Sequence, residues 1–180
     1  TAGTNTAIGY KTLEANTTGS SNTAVGYTAL VSNTTACCNT GLGAYALLNN
    51  TTGDNNTAIG IEAGKACTTG SANVFVGDLA GHGLTTADRC VFIGNTAGYT
   101  GTITGDKNTA VGDNALRNVS SGAFNTAVGS EALMDNTTAS NNTAFGFASL
   151  KTNTTGDHNV AVGTAALDAN TTGNNNVAMS

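Results

Sequence analysis

A seventeen-residue period runs the length of this chain and constrains its fold more than any other feature. The pentapeptide Asn22-Thr23-Ala24-Val25-Gly26 returns as Asn5-Thr6-Ala7-Ile8-Gly9, Asn56-Thr57-Ala58-Ile59-Gly60 and Asn125-Thr126-Ala127-Val128-Gly129. Its Asn falls at residues 5, 22, 39, 56, 73, 108, 125, 142, 159 and 176, and Cys90 fills the missing slot. Each step is seventeen residues except that from Cys90 to Asn108, which is eighteen. A short fixed period means one structural unit stacked on copies of itself, because no single unit can bury its own apolar face.

With the Asn as position 1, the unit reads Asn-Thr-Ala-Val-Gly-x-x-Ala-Leu-x-x-Asn-Thr-Thr-Gly-x-x. Position 4 is always apolar: Ile8, Val25, Leu42, Ile59, Val76, Ile93, Val111, Val128, Phe145, Val162 and Met179. Position 2 is Thr or Val, and residues two apart share one face of a strand. On bulk and periodicity, positions 2 and 4 are expected to face inward, with Ile8 to Val162 as the core ladder, and position 3 to face outward. Gly at position 5 marks a corner. Ala at position 8 and Leu at position 9 (Leu13, Leu30, Leu47, Leu116, Leu133, Leu150, Leu167) supply an opposite apolar wall. Asn-Thr-Thr-Gly turns the chain back, since Asn and Gly tolerate positive φ.

Two Gly and two β-branched Thr per unit argue against helix, and paired-helix repeats need about 33 residues. The expected fold is therefore all-β, a parallel β-solenoid of about ten coils, each with two or three short strands. Ladder bonding about 4.8 Å apart would give a rod of roughly 50 Å. The whole of 1–180 reads as one solenoid that starts and stops in mid-unit, an excerpt of a longer chain, with an irregular subtype over 73–107.

Charged residues are only 9% of the chain and Pro is absent, which separates it from ordinary disordered sequences. The invariant apolar position separates it from low-complexity Asn/Thr tracts. A net charge of −5 argues against a nucleic-acid binder, which needs a basic stripe, and no apolar run is long enough to span a membrane as a helix.

The unit resembles the head repeats of trimeric autotransporter adhesins. It is more similar still to the Asn-Thr-Ala-Ile-Gly-Tyr-x-Ala-Leu-x-x-Asn-Thr-Thr-Gly arrays of phage tail fibres and bacterial surface proteins. The resemblance covers the whole chain. It implies a left-handed parallel β-roll, a homotrimeric fibre and an extracellular place on a cell or virion surface. It also implies that Ala7, Ala24, Ala58, Ala110, Ala127, Ala144 and Ala161 face sister subunits.

The middle of the chain breaks the pattern. Gly64, Gly81 and Gly98 replace Leu, and Phe75 and Phe92 replace the supposedly outward Ala. Asp78, His82, Arg89 and Tyr99 lie in the same region, followed by the one-residue insertion within Thr100-Gly101-Thr102-Ile103-Thr104. Outward Phe in adjacent coils would form an exposed apolar pair, which marks contact with another chain or a ligand. Three readings stay open: a seam between chains, a ligand site, or a junction in the rod. Phe75, Phe92, Asp78, His82, Arg89 and Tyr99 are the candidate partner contacts.

Catalysis needs a nucleophile, a base and an orienting group within reach. His82 and His158 stand at different positions of distant coils, with no carboxylate at ladder spacing, so both read as solvated surface residues and no enzyme is expected. The acidic residues do not recur as a pair. Cys37, Cys38, Cys67 and Cys90 lack metal-ligand spacing, so no cofactor or metal is expected, and buried free thiols are favoured over disulfides. Asn16, Asn33, Asn50, Asn136, Asn153 and Asn170 fit the glycosylation pattern but read as turn residues.

Two functions follow. The first is a structural and adhesive surface fibre that self-associates and meets a receptor or glycan. The alternative is ice binding through stacked Thr rows, because the turn pairs such as Thr17-Thr18 and Thr34-Thr35 recur at the coil spacing. Adjacent Thr point to opposite sides of a strand, which argues against the second.

Overall fold

The computed structural model describes residues 3–180. It is a β-solenoid. Eleven three-residue strands, from Thr6–Ile8 to Val177–Met179, form one parallel sheet in strict sequence order. Register is repeat on repeat: Thr6 pairs Thr23, Ala7 pairs Ala24 and Ile8 pairs Val25, and the same pairing continues to Val162 and Met179.

Each coil carries one strand, where two or three were expected. The remaining three-quarters of the turn is still laddered. Leu30 N donates to Ala46 O at 3.0 Å, Thr28 N to Tyr10 O at 2.8 Å, and Thr51 N to Thr68 O at 2.9 Å. Strand geometry is lost because positions 7 and 9 carry positive φ, as at Thr28 (53°) and Leu30 (51°). Those left-handed residues fold the chain into a tight succession of turns while leaving backbone groups free to bond to the next coil.

The expected facing of the strand is reversed. Position 3 points inward: Ala24, Ala58, Ala110, Ala127, Ala144 and Ala161 are fully buried, whereas Leu42 (44%), Ile59 (38%) and Phe145 (57%) at position 4 are exposed. The supposed core ladder of Ile8, Val25, Leu42, Ile59, Val76, Ile93, Val111, Val128, Phe145 and Val162 is thus an outer ladder, exposed or half-buried throughout. Two physical facts set the parity. The position 1 Asn is held inside by its own hydrogen bonds, and side chains two apart share a face, so position 3 must also be inside. The interior is also narrow, with room for Ala against the opposing Leu and little else.

That Asn forms an internal ladder. Asn22 Oδ1 accepts from Asn39 N at 3.0 Å, and Asn22 Nδ2 donates to Ala36 O at 2.9 Å, which ties the start of the coil to its final turn. The position 12 Asn does the same across the turn: Asn33 Nδ2 donates to Asn16 Oδ1 at 2.9 Å and to Ala36 O at 3.2 Å. Buried amides bonded in this way avoid the desolvation penalty of an orphaned polar group. Four of the Asn in the glycosylation pattern, Asn33, Asn50, Asn136 and Asn153, are buried at this position, although Asn136 bonds only through Nδ2, to Ala139 O at 3.1 Å, and its Oδ1 has no partner.

Phe75 and Phe92 belong to the core, both fully buried with ring centroids 6.2 Å apart. They do not form an exposed pair. They occupy the volume that Leu vacates. A Cβ on Gly64 would lie 2.5 Å from Phe75 Cδ2, one on Gly98 would lie 2.6 Å from Phe92 Cδ2, and one on Gly81 would collide with Phe75. The neighbouring position 12 residues Cys67, Leu84 and Val119 are buried, as is Ile103, which the insertion sets against Leu84, so the Asn ladder there is exchanged for apolar packing. The irregular subtype is a repacked core at nearly constant volume, which close-packed interiors accept. The one-residue insertion is absorbed in the turn, where Leu84 and Ile103 form a parallel bridge.

Candidate interaction surfaces

Two surfaces stand out. The first is the outer face of the sheet. Its two side-chain columns, positions 2 and 4, hold only Thr, Val, Ile, Leu, Phe and Met through all eleven strands. No charge and no amide interrupts it. Beside it, position 6 extends the apolar strip at Tyr10, Tyr27, Ile61 and Phe147, all exposed. Tyr10 and Tyr27 stack at 5.2 Å with planes 12° apart, so each ring face is covered by its neighbour and the edges look outward. In the middle coils position 6 becomes Asp78, Asn95 and Asp113.

The second is a column at position 10 on the flank: Lys65, His82, Tyr99 and Arg117, from four successive coils. His82 and Tyr99 rings lie 5.2 Å apart, and the Arg117 guanidinium carbon sits 5.8 Å from the Tyr99 centroid. Glu62 reaches up from position 7, with Oε1 3.1 Å from Lys65 Nζ and Oε2 3.3 Å from His82 Nε2. His82 therefore has a carboxylate partner, against the expectation of a lone solvated His. That partner stands one coil and three residues earlier, a spacing produced by the turn and not by the ladder.

Of the candidate contacts read from sequence, the structure brings together His82 and Tyr99 on the surface and Phe75 and Phe92 in the core. Phe75 and Phe92 are interior. Asp78 lies on one edge of the sheet face, where Asn95 Nδ2 donates to its Oδ2 at 3.4 Å. Arg89 is exposed at position 17, beyond the sheet's opposite edge. Glu62, Lys65 and Arg117 were missed, although shared position in the repeat would have grouped Lys65 and Arg117 with His82 and Tyr99.

All four cysteines are free thiols, but only Cys67 and Cys90 are buried as expected, because Cys37 and Cys38 lie on the outer turn, half-buried and exposed. Burial pushes the Cys67 thiol up to about 12 and that of Cys90 up to about 11, so both are protonated at neutral pH. Cys90 Sγ lies 3.5 Å from Gly105 O in the place of the missing Asn amide. Cys37 is also raised, to about 11, by hydrogen bonding with the exposed Cys38 and then by desolvation. Among the described residues no three His, Cys, Asp or Glu side chains converge as a metal site, and the surface has no concave pocket. Comparison with protein-family models, curated proteins and solved structures finds no match to this chain.

Proposed function

We propose that this protein is the shaft or head of an extracellular adhesive fibre, on a cell or virion surface, whose copies associate through the outer sheet face. The observation that carries this reading is the uninterrupted, charge-free double column at positions 2 and 4. A two-residue-wide strip running about 50 Å along a rod is large for an apolar patch on a solitary soluble chain. Burying it against another copy would remove Ile8, Leu42, Ile59, Phe145 and their neighbours from water at about 25 cal/mol per Å². The repeat resemblance suggests three chains per fibre and left-handed winding. The thin core, mainly Ala and Leu, makes stability gained between chains valuable.

Electron microscopy of the purified chain at micromolar concentration is expected to show laterally bundled rods, dispersed into single rods by the pair Ile59→Lys and Val128→Lys. Single rods in both samples would remove the fibre reading.

One observation favours ice binding as the second reading. The strand presents Thr and Val on the same outward side, as at Thr23 and Val25 or Thr126 and Val128. That flat hydroxyl-and-methyl rank is on the sheet, and not on the turn pairs that the sequence pointed to. Thermal hysteresis at millimolar protein would support this reading, and a zero value would end it.

A further inference from the structure

Three of the chain's six Lys and Arg residues have a carboxylate partner: Lys11 with Glu14, Lys65 with Glu62 and Lys151 with Glu131. Arg89 and Lys107 are exposed at the last residue of their coils, Lys107 with its Nζ 4.7 Å from the Phe124 ring centroid. Arg117 differs from all five. It is half-buried, has no carboxylate partner among the described residues, and lies against the Tyr99 ring. Its Nε is closed to solvent and has no hydrogen-bond acceptor.

Leaving a buried donor unsatisfied costs about 1–3 kcal/mol, more for a charged group. Neighbouring backbone does not relieve it. The Arg117 carbonyl is taken by Thr100, through N at 2.8 Å and Oγ1 at 2.8 Å, and Asn118 is taken by Thr100 and Asp135. Asp135, the nearest acid in the next coil by sequence position, is therefore engaged through Oδ1 with Asn118 Nδ2 at 3.0 Å. The guanidinium is thus a fork of donors without an anion, bordered by the half-buried Tyr99 ring, with the half-buried His82 ring on the far side of Tyr99.

We propose that Arg117, Tyr99 and His82 form a binding site for an acidic saccharide. The guanidinium takes the sugar carboxylate, for which its planar donor fork is matched. The tilted Tyr99 and His82 rings take the apolar face of the pyranose. Drawing the guanidinium off Tyr99 also frees Nε to bond, so the ligand relieves the orphaned donor. Glu62, already shared by Lys65 and His82, keeps the His82 ring oriented. The site sits on the flank, at position 10, apart from the sheet face at positions 2 and 4. It gives the adhesive reading a ligand class and rests on that reading only for its biological sense, because the two surfaces are separate.

The test is calorimetric titration of the intact chain with a hexuronate-terminated disaccharide, with its neutral hexose counterpart and with a glutamate-rich peptide. Binding of the uronate at least tenfold tighter than either control is expected, together with a tenfold or greater loss in Arg117→Gln and in Tyr99→Ala. Phe147→Ala, on the sheet side, should leave the titration unchanged. Unchanged circular dichroism and melting in Arg117→Gln establish that the loss is local; if that variant is unfolded, Arg117→Lys, which keeps the charge without the fork, decides by the same tenfold criterion. Equal binding of the neutral sugar, tighter binding of the peptide, no binding of the uronate, or indifference to the folded Arg117 variant would each overturn the proposal. The rods' association state, measured on the same samples, reports separately on the fibre reading.

Discussion

At the scale of single residues, the fold rests on amides that water never reaches. Asn125 illustrates the arrangement: its N donates to Asn108 Oδ1 at 3.0 Å, its Nδ2 to Ala139 O at 2.8 Å, and its Oδ1 accepts from Asn142 N at 3.0 Å. Asn125→Ala strands groups in two neighbouring coils and is expected to cost about 2–4 kcal/mol, summed over the groups left unpaired, by denaturant titration. Thr28 is the opposite case. It is β-branched at φ 53°, and its Oγ1 is buried without a partner. Thr28→Gly removes both faults and is expected to raise stability by about 1 kcal/mol after the entropy cost of Gly, measured as a higher melting temperature. The thiols add a pH dependence. Cys67 and Cys90 have folded values above the ordinary thiol range, so the protonated fold is favoured at neutral pH. That contribution is fully present below about pH 9 and is lost as pH rises through about 11 to 12. Cys67→Ala should flatten the alkaline end of the stability curve, and at pH 8 a thiol reagent should label Cys38 while leaving Cys67 and Cys90 untouched until unfolding.

At the scale of the element, each coil is a choice between two ways of filling one small cavity. Most coils use Ala at position 3 with Leu at position 9. The middle ones use Phe75 and Phe92 against Gly64, Gly81 and Gly98. Phe92→Ala alone leaves a void worth about 3–5 kcal/mol, and Gly98→Leu alone overpacks the same space and imposes positive φ on a Leu. The double variant rebuilds the common coil, in which Leu30 and Leu47 already adopt that φ. It is expected to recover at least about 1–2 kcal/mol of the summed losses in a double-mutant cycle.

This exchange is written in the sequence, since Phe appears at position 3 only where Leu has left position 9 of the same coil, yet bulk at a supposedly outward position points instead to an exposed patch. The error came from treating bulk as a marker of burial. At position 3 of an ordinary coil, facing Leu at position 9, a large side chain has no room inside, so small Ala goes in and the Val of position 4 goes out. Period, parallel stacking and the absence of helix were legible because they follow from spacing alone. The strand's facing was legible only through Asn5 to Asn176, whose amides needed to be recognised as interior. The partnership of Glu62 with His82 was hidden, because it depends on turn geometry at Leu79 and Glu62, which carry positive φ without Gly to announce it.

For the molecule as a whole, the consequence is a rod whose charge and amide groups are kept off one long face. Had positions 2 and 4 faced inward, the outside of the sheet would be a strip of Ala, and association would depend on close approach of backbones. With positions 2 and 4 outside, the same rod presents Thr and branched aliphatic side chains on the face through which we propose that copies associate. The most direct discriminator is the melting temperature of two variants one residue apart, Ala127→Lys and Val128→Lys, measured on the intact chain. The structure requires Val128→Lys to keep a cooperative transition and Ala127→Lys to lose it. A tolerated Ala127→Lys beside an unfolded Val128→Lys would contradict the account, because it would put the wrong side of the sheet in water.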